Sequence, residues 1–306
     1  MATTTLKDPT FRSYSAEEAK IYATHRLSYP EELYNKVLEH HAATGGQFGL
    51  LFDVGCGPGN ATRDVALPFD QALGADPGDA MIGAARELGG KTKSGADIRY
   101  EVCPAEGISQ IEGLEPDSVD LLTSAMAAHW FDMLKFWAEA AKVVKPGGTV
   151  ALWTCSSLFP HPSTPNVDKV MEIFLRFERE TLGPYALPGN ILSMNMYDDL
   201  PRPWTVSPPV KDFLESKYVK YDWDRDGKLA NGVDFFGGAE KETLDEMENG
   251  MGTASMVTRW RAANPELVGT DNDVVKVFVR ELRAALGGQD WVNKGSGTSI
   301  MLFKKS

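Results

Sequence analysis

The stretch Asp53-Val-Gly-Cys-Gly-Pro-Gly-Asn60 constrains the fold of this chain more than any other. It follows Leu50-Leu-Phe-Asp-Val54, an apolar run that stops at the glycines, which is the profile of a strand buried on both faces of a parallel sheet. Gly55, Gly57 and Gly59 let the backbone turn tightly and approach a ligand, and the start of the helix expected next is electropositive. Asp76 ends the next strand, Ala72-Leu-Gly-Ala-Asp76, where a carboxylate can accept hydrogen bonds from ribose hydroxyls. The spacing is Gly-x-Gly-x-Gly rather than Gly-x-Gly-x-x-Gly, which disfavours a dinucleotide pyrophosphate. Asp53 ahead of the glycines suits a cationic amino group better than a diphosphate.

The rest of the first half alternates in pattern. Helical spacing over 15–42 precedes the glycine strand, and a helix over Ala80–Leu88 follows Asp76. Strands are expected at Ile98–Val102, Val119–Thr123 and Thr149–Thr154, with a helix over Met133–Val144 before the Lys145-Pro-Gly-Gly148 turn. Parallel neighbours need helical crossovers, so this alternation predicts an α/β fold with a doubly wound sheet. From about Phe159 to Pro209 the pattern breaks. Nine of the chain's 18 prolines lie there, around one amphipathic stretch, Val167–Leu182. That segment reads as an inserted cap. Strand alternation returns at Lys217–Trp223, helices are expected at Glu240–Asn249, Ala254–Ala263 and Asp273–Leu286, and Thr298–Phe303 closes the chain as a strand.

Charge and composition exclude several roles. The chain of 306 residues has a net charge of −12 and no Lys/Arg run beyond pairs, so a nucleic-acid partner is set aside. No apolar run approaches a membrane span, and the polar N-terminus lacks a signal-peptide core, so a cytoplasmic protein without membrane contact is expected. Three cysteines without C-x-x-C spacing argue against a disulfide framework or a metal site.

These motifs together resemble the class I S-adenosylmethionine-dependent methyltransferases, through Asp53–Asn60, Gly74-Ala-Asp76 and Lys145–Gly148. Within them the chain is most similar to the fungal-type trans-aconitate methyltransferases. Leu50–Thr62, Ala128-His-Trp-Phe-Asp132, Tyr22-x-x-x-Arg26-x-Ser-Tyr-Pro30 and Leu182-Gly-Pro-Tyr185 carry that similarity. The resemblance implies a seven-stranded, mostly parallel, Rossmann-like sheet with an antiparallel last strand, all in one domain. Within it, residues 1–45 would form a helical lid, 46–158 the cofactor half, 159–212 the cap, and 213–306 the C-terminal half with substrate-side helices.

Roles follow from the same resemblance. Gly55, Gly57 and Gly59 would wrap the methionine part of S-adenosylmethionine, with Asp53 at its amino group directly or through water. Asp76 would hold the ribose, and Ala105 and Glu106 would meet the adenine, although Pro104 stands where the family often has Asp. Ala125, Trp130 and Phe131 follow strand four, where a sulfonium beside aromatic faces is favoured. Tyr22 and Arg26 look like lid residues, Arg26 as a clamp on the cofactor carboxylate. His129 is the candidate general base for a phenol or aliphatic hydroxyl; a carboxylate or thiolate acceptor would need none.

The acceptor side departs from the family. Trans-aconitate methyltransferases carry Arg-Thr-Trp-Ser where this chain has Gly252-Thr-Ala-Ser255, followed by Met256-Val-Thr-Arg259. Losing that cation and that aromatic points to a small-molecule acceptor bulkier and more apolar than trans-aconitate, methylated at carboxylate, hydroxyl or thiol. Trp130, Phe131, Tyr185, Gly252, Ser255, Met256 and Arg259 are the expected pocket. The alternatives are a protein of this fold that binds S-adenosylmethionine but catalyses a non-methylating reaction or only binds ligand, and a dinucleotide-dependent oxidoreductase.

Overall fold

A computed structural model describes Ser15, Glu17, Ala19 and residues 29–306; the expected lid residues Tyr22 and Arg26 lie outside the described residues. In chain order the elements are α1 (Glu31–Ala43), β1 (Leu50–Val54), α2 (Asn60–Val65), β2 (Gln71–Asp76), α3 (Asp79–Leu88), β3 (Arg99–Val102), β4 (Val119–Ala125) and α4 (Met133–Val143). These are followed by β5 (Val144–Pro160), α5 (Val167–Arg176), α6 (Pro188–Met194), β6 (Val219–Trp223), β7 (Glu240–Thr243), α7 (Leu244–Met251), α8 (Ser255–Ala263), α9 (Val274–Ala285) and β8 (Trp291–Lys304).

Seven strands line up as β3-β2-β1-β4-β5-β8-β6, and short β7 pairs with the outer part of β8. β1 to β5 run parallel, and β8 is antiparallel to β5, β6 and β7. This is the expected methyltransferase sheet. Alternating strand residues feed two cores, as the pleat requires. Phe52 and Val54 pack with Phe136, Trp137 and Phe303 on one side, whereas Leu51 packs with Leu33, Val37, Val65 and Trp153 on the other. Helices α1 and α4, both expected from the sequence, thus cover opposite faces of one sheet.

Three differences from the sequence expectation matter for the site. β5 and β8 run well past the sheet, pairing as far as Pro160 with Lys294, with a register shift between Cys155 and Leu158. That ribbon carries the cap. Val167–Leu182 is not one α-helix: α5 ends at Arg176 and Phe177–Thr181 winds as a π-helix. Such a turn inserts a residue and rotates the following side chains to a different face. Glu240–Asn249 divides into β7 and α7, because Thr243 caps the helix reciprocally with Glu246. The residues of the box are Thr243-x-x-Glu246.

The segment 159–212 packs in two places. Its core joins Val170, Ile173, Phe174 and Phe177 to Leu244, Met247, Val257, Phe278 and Leu282, so α5 packs on α7, α8 and α9. Tyr197, Leu200, Val206 and Phe213 instead join the core on the sheet. Among the described residues, no helix is long and apolar enough to cross a membrane.

Candidate active site

The carboxyl ends of β1, β2, β4 and β5 open onto one cavity of about 460 Å³, closed from above by the cap. That volume is ordinary for a small-molecule site, and its place at the carboxyl edge is where doubly wound sheets bind ligands.

The glycine loop forms the floor. Gly55, Gly57 and Gly59 all have positive φ (72°, 54° and 82°). Their surroundings differ. A Cβ on Gly55 would meet Ala127 Cβ at 2.5 Å, and one on Gly59 would meet the Tyr100 hydroxyl at 2.6 Å, so these two are glycine for packing as well as for conformation. A Cβ on Gly57 meets nothing within 4 Å, which leaves bare backbone facing open cavity. The loop is fastened to β2: the N–H groups of Gly55 and Cys56 donate to the Ala75 carbonyl at 2.7 and 3.0 Å. Asp76 tightens it from the wall, its carboxylate accepting from the N–H of Gly57 (3.0 Å) and of Gly78 (2.8 Å). Those two donors fix the orientation of the carboxylate on the cavity wall.

Asp53 has a different place from the one expected. It is wholly buried behind the loop, where it accepts from Thr62 Oγ1 at 2.6 Å and Thr123 Oγ1 at 2.7 Å, and it does not line the cavity. It joins α2 to β4 beneath the turn. Burial pushes its carboxyl up to about 6, opposed by the two threonine hydroxyls. Because the folded value exceeds the unfolded one, this group's stabilisation is complete below about pH 4 and is lost as pH rises through 6, by up to about 3 kcal/mol. Urea unfolding of wild type and Asp53→Asn between pH 4 and 7 should therefore show a stability difference that changes by that amount across the window. A difference independent of pH would mean that Asp53 titrates alike in both states.

The wall after β4 is aromatic. Ala125, His129, Trp130 and Phe131 all line the cavity. The Trp130 ring lies under Gly189 at the start of α6, where a Cβ would come within 2.5 Å of it. His129 Nδ1 is 2.8 Å from the hydroxyl of buried Tyr197, and burial drives the His129 pKa down to about 3. An imidazole so reluctant to take a proton is a poor general base at neutral pH. The structure therefore corrects the expected role: His129 anchors the loop that carries Trp130. Ala105 and Glu106 also line the wall, and Glu106 Oε1 accepts from the Asp132 N–H at 2.8 Å, tying the turn after β3 to the start of α4.

Of the expected acceptor residues, Trp130, Phe131, Ser255 and Met256 line the cavity, whereas Tyr185, Gly252 and Arg259 do not. Gly252 ends α7, and a Cβ there would face the Asn249 and Glu248 carbonyls at 3.2 Å, not the cavity. The space inferred from that glycine is thus not where the pocket's room comes from. Arg259 works behind the wall, donating to the Tyr185 carbonyl (2.7 Å) and to Asn190 Oδ1 (2.6 Å) and so locking α6 to α8.

The residues missed by sequence reasoning come from the cap. Leu158, Phe174, Phe177, Leu182, Met194 and Phe278 make the cap side of the cavity apolar, with Phe177 stacked on Phe278 at 4.1 Å. Within that wall stands one carboxylate, Glu178, which accepts from Ser157 Oγ at 2.6 Å and whose pKa is raised by burial. The π-helix sets Glu178 on the cavity side next to Phe177. No periodicity in the sequence marks it. Among the described lining residues there is no Lys or Arg. No group of three or more His, Cys, Asp or Glu among the described residues could hold a metal ion.

Comparison with known proteins agrees with this geometry. A family profile described as a methyltransferase domain matches residues 52–152, from β1 into β5. The chain is 25% identical over 268 residues to the Saccharomyces cerevisiae protein named probable S-adenosylmethionine-dependent methyltransferase CRG1, covering 87% of each. It is 32% identical over 185 residues to methyltransferase cfoB of Aspergillus candidus, covering 60% of this chain and 56% of that one. A proposed type II methyltransferase from Anaeromyxobacter dehalogenans superposes with a TM-score of 0.59 at 25% identity, over 91% of this chain and 96% of that one. With a glycine loop, a β2 carboxylate and an antiparallel β8 in their places, the chain has the methyltransferase fold and is an S-adenosylmethionine-dependent methyltransferase.

Proposed function

We propose that this methyltransferase acts on a hydroxyl of a bulky, largely apolar small molecule. The observation that carries the reading is the cap side of the cavity, where Leu158, Phe174, Phe177, Leu182, Met194 and Phe278 surround Glu178 and its partner Ser157, with only neutral polar groups such as Asn190 and Ser255 beside them. A tricarboxylate such as trans-aconitate would bring negative charge against Glu178 with no described cation to balance it, and burying an unpaired charge is costly. The departure from the trans-aconitate pattern thus rests on the cap's own side chains.

When bound, S-adenosylmethionine supplies a methyl group already activated on a sulfonium. The chain's part is to bind, align and exclude water. Gly57, with Gly55 beside it, would hold the methionine end, Asp76 would accept from the ribose diol, and the Ala105 region would flank the adenine. Trp130 and Phe131 offer ring faces to positive charge. Glu178 would take the proton of the acceptor hydroxyl as the acceptor oxygen gains the methyl group, the methyl–sulfur bond breaks and S-adenosylhomocysteine leaves. Its raised pKa brings it nearer to neutral pH than an ordinary glutamate, the direction that improves a base.

The test is release of S-adenosylhomocysteine with paired acceptors of one skeleton, naphthols against the matching naphthoic acids, with trans-aconitate alongside. Turnover of the hydroxyl forms and refusal of trans-aconitate are expected. Efficient methylation of trans-aconitate would sink the proposal.

A further inference from the structure

Three lysines of the described chain are buried, and two of them have carboxylates. Lys294 Nζ pairs with Glu240 at 2.6 Å and Glu242 at 3.4 Å. Lys305 Nζ reaches Asp117 at 2.6 Å and the carbonyls of Ala141 and Val144 at 2.6 and 2.7 Å. Lys304, only 6% exposed, has neither. Its ammonium donates to Thr149 Oγ1 at 3.2 Å, an oxygen already 2.8 Å from His41 Nδ1. A buried ammonium is normally paired, because an unpaired one forfeits hydration with nothing in return.

What surrounds it is also positive. Lys304 lines a cleft of about 430 Å³ with His40, Ser216, Lys217, Lys305 and Ser306. It lies at the edge of the sheet opposite the methyl-transfer cavity, since Lys304 pairs with Thr149, at the other end of β5 from Cys155. Lys217 is exposed, and no carboxylate among the described residues pairs with Lys217, Lys304 or His40. Burial and the Lys217 charge depress the Lys304 pKa, and burial, Lys304 and Lys36 depress that of His40. The acid acting on this region, Asp120, is committed to Lys145 at 2.8 Å and to the Leu50 N–H at 2.8 Å. In a chain of net charge −12, this is a local concentration of basic side chains.

We infer that the cleft between α1, β8 and the segment before β6 is a second binding site, for an oxyanion of the phosphate class. Lys304 supplies a desolvated ammonium at its base, and Lys217 supplies an exposed one at its rim. Ser216 adds a hydroxyl donor. The volume exceeds that of a free phosphate ion, so the group bound is expected to carry a substituent.

The experiment is calorimetric and ³¹P NMR titration of the full chain with inorganic phosphate and, separately, phenyl phosphate, with chloride as control. Saturable binding is expected, tighter for the ester, and unchanged by S-adenosylhomocysteine. Stronger binding of inorganic phosphate than of its ester would assign the site to the free ion and overturn the substituted ligand. Lys217→Ala, at an exposed position, should weaken binding at least tenfold. Lys304→Met should abolish it and, in phosphate-free buffer, leave Tm equal to or above that of wild type, because an unpaired buried charge is removed. Absence of saturable binding, or binding that survives both substitutions, overturns the inference.

Discussion

Replacing Glu178 by Gln should lower the rate of methyl transfer to a hydroxyl acceptor by about 10²-fold while leaving cofactor affinity within about twofold, since general-base contributions run from about 10² to 10⁴. The substitution is nearly isosteric. The Gln oxygen can still accept from Ser157 Oγ, now at 2.6 Å from the carboxylate, so the π-helix and the wall it builds with Phe177 and Phe278 should persist. What is lost is the capacity to take a proton. The pH profile separates this from a structural effect. Burial raises the Glu178 pKa, so kcat/KM of wild type should climb as that carboxyl ionises, above the range of an exposed glutamate, and the rising limb should vanish in Glu178→Gln. S-adenosylhomocysteine release against pH reads both. An unchanged rate would show that the acceptor proton leaves by another route.

Asp76 should be the residue whose loss most weakens cofactor binding. Its carboxylate has two tasks, holding the N–H groups of Gly57 and Gly78 and facing the cavity. Asp76→Ala orphans both backbone donors and removes charge-assisted hydrogen bonds, each worth about 1.5–3 kcal/mol. Affinity for S-adenosylhomocysteine, measured by calorimetry, should fall by about 10²- to 10³-fold. Asp76→Asn should be nearly as damaging, because its amide places N–H donors where the backbone already donates. If the Asp76→Asn variant bound the cofactor as well as wild type, neither the charge nor the double acceptor would be what the site uses.

The two predictions fall on residues of opposite legibility. Asp76 could be read from the chain because everything that makes it functional is local: a strand, its last residue, and a glycine turn one strand earlier. The same holds for Gly57 and for Trp130 and Phe131 after β4. Glu178 could not be read. Its neighbour Ser157 lies 21 residues away on a ribbon that outruns the sheet, and its orientation depends on a π-turn that helical periodicity misreads. Gly252 failed for the converse reason. Its place in the pattern was legible, but the direction of its missing Cβ, toward its own helix end, was not. Asp53 was found in the right motif, but that two threonines from different elements hold its carboxylate behind the loop was not legible.

The sequence by itself determined the sheet, the cofactor loop and the class of chemistry, because strand–turn–helix units are written in short-range patterns of apolar residues, glycine and acid. Only the tertiary structure decided the apolar cap side of the cavity, the burial of His129 against Tyr197 and the lack of a carboxylate partner for Lys304. Each depends on which side chains from distant segments arrive within hydrogen-bond or ion-pair reach, and on how much water burial leaves them.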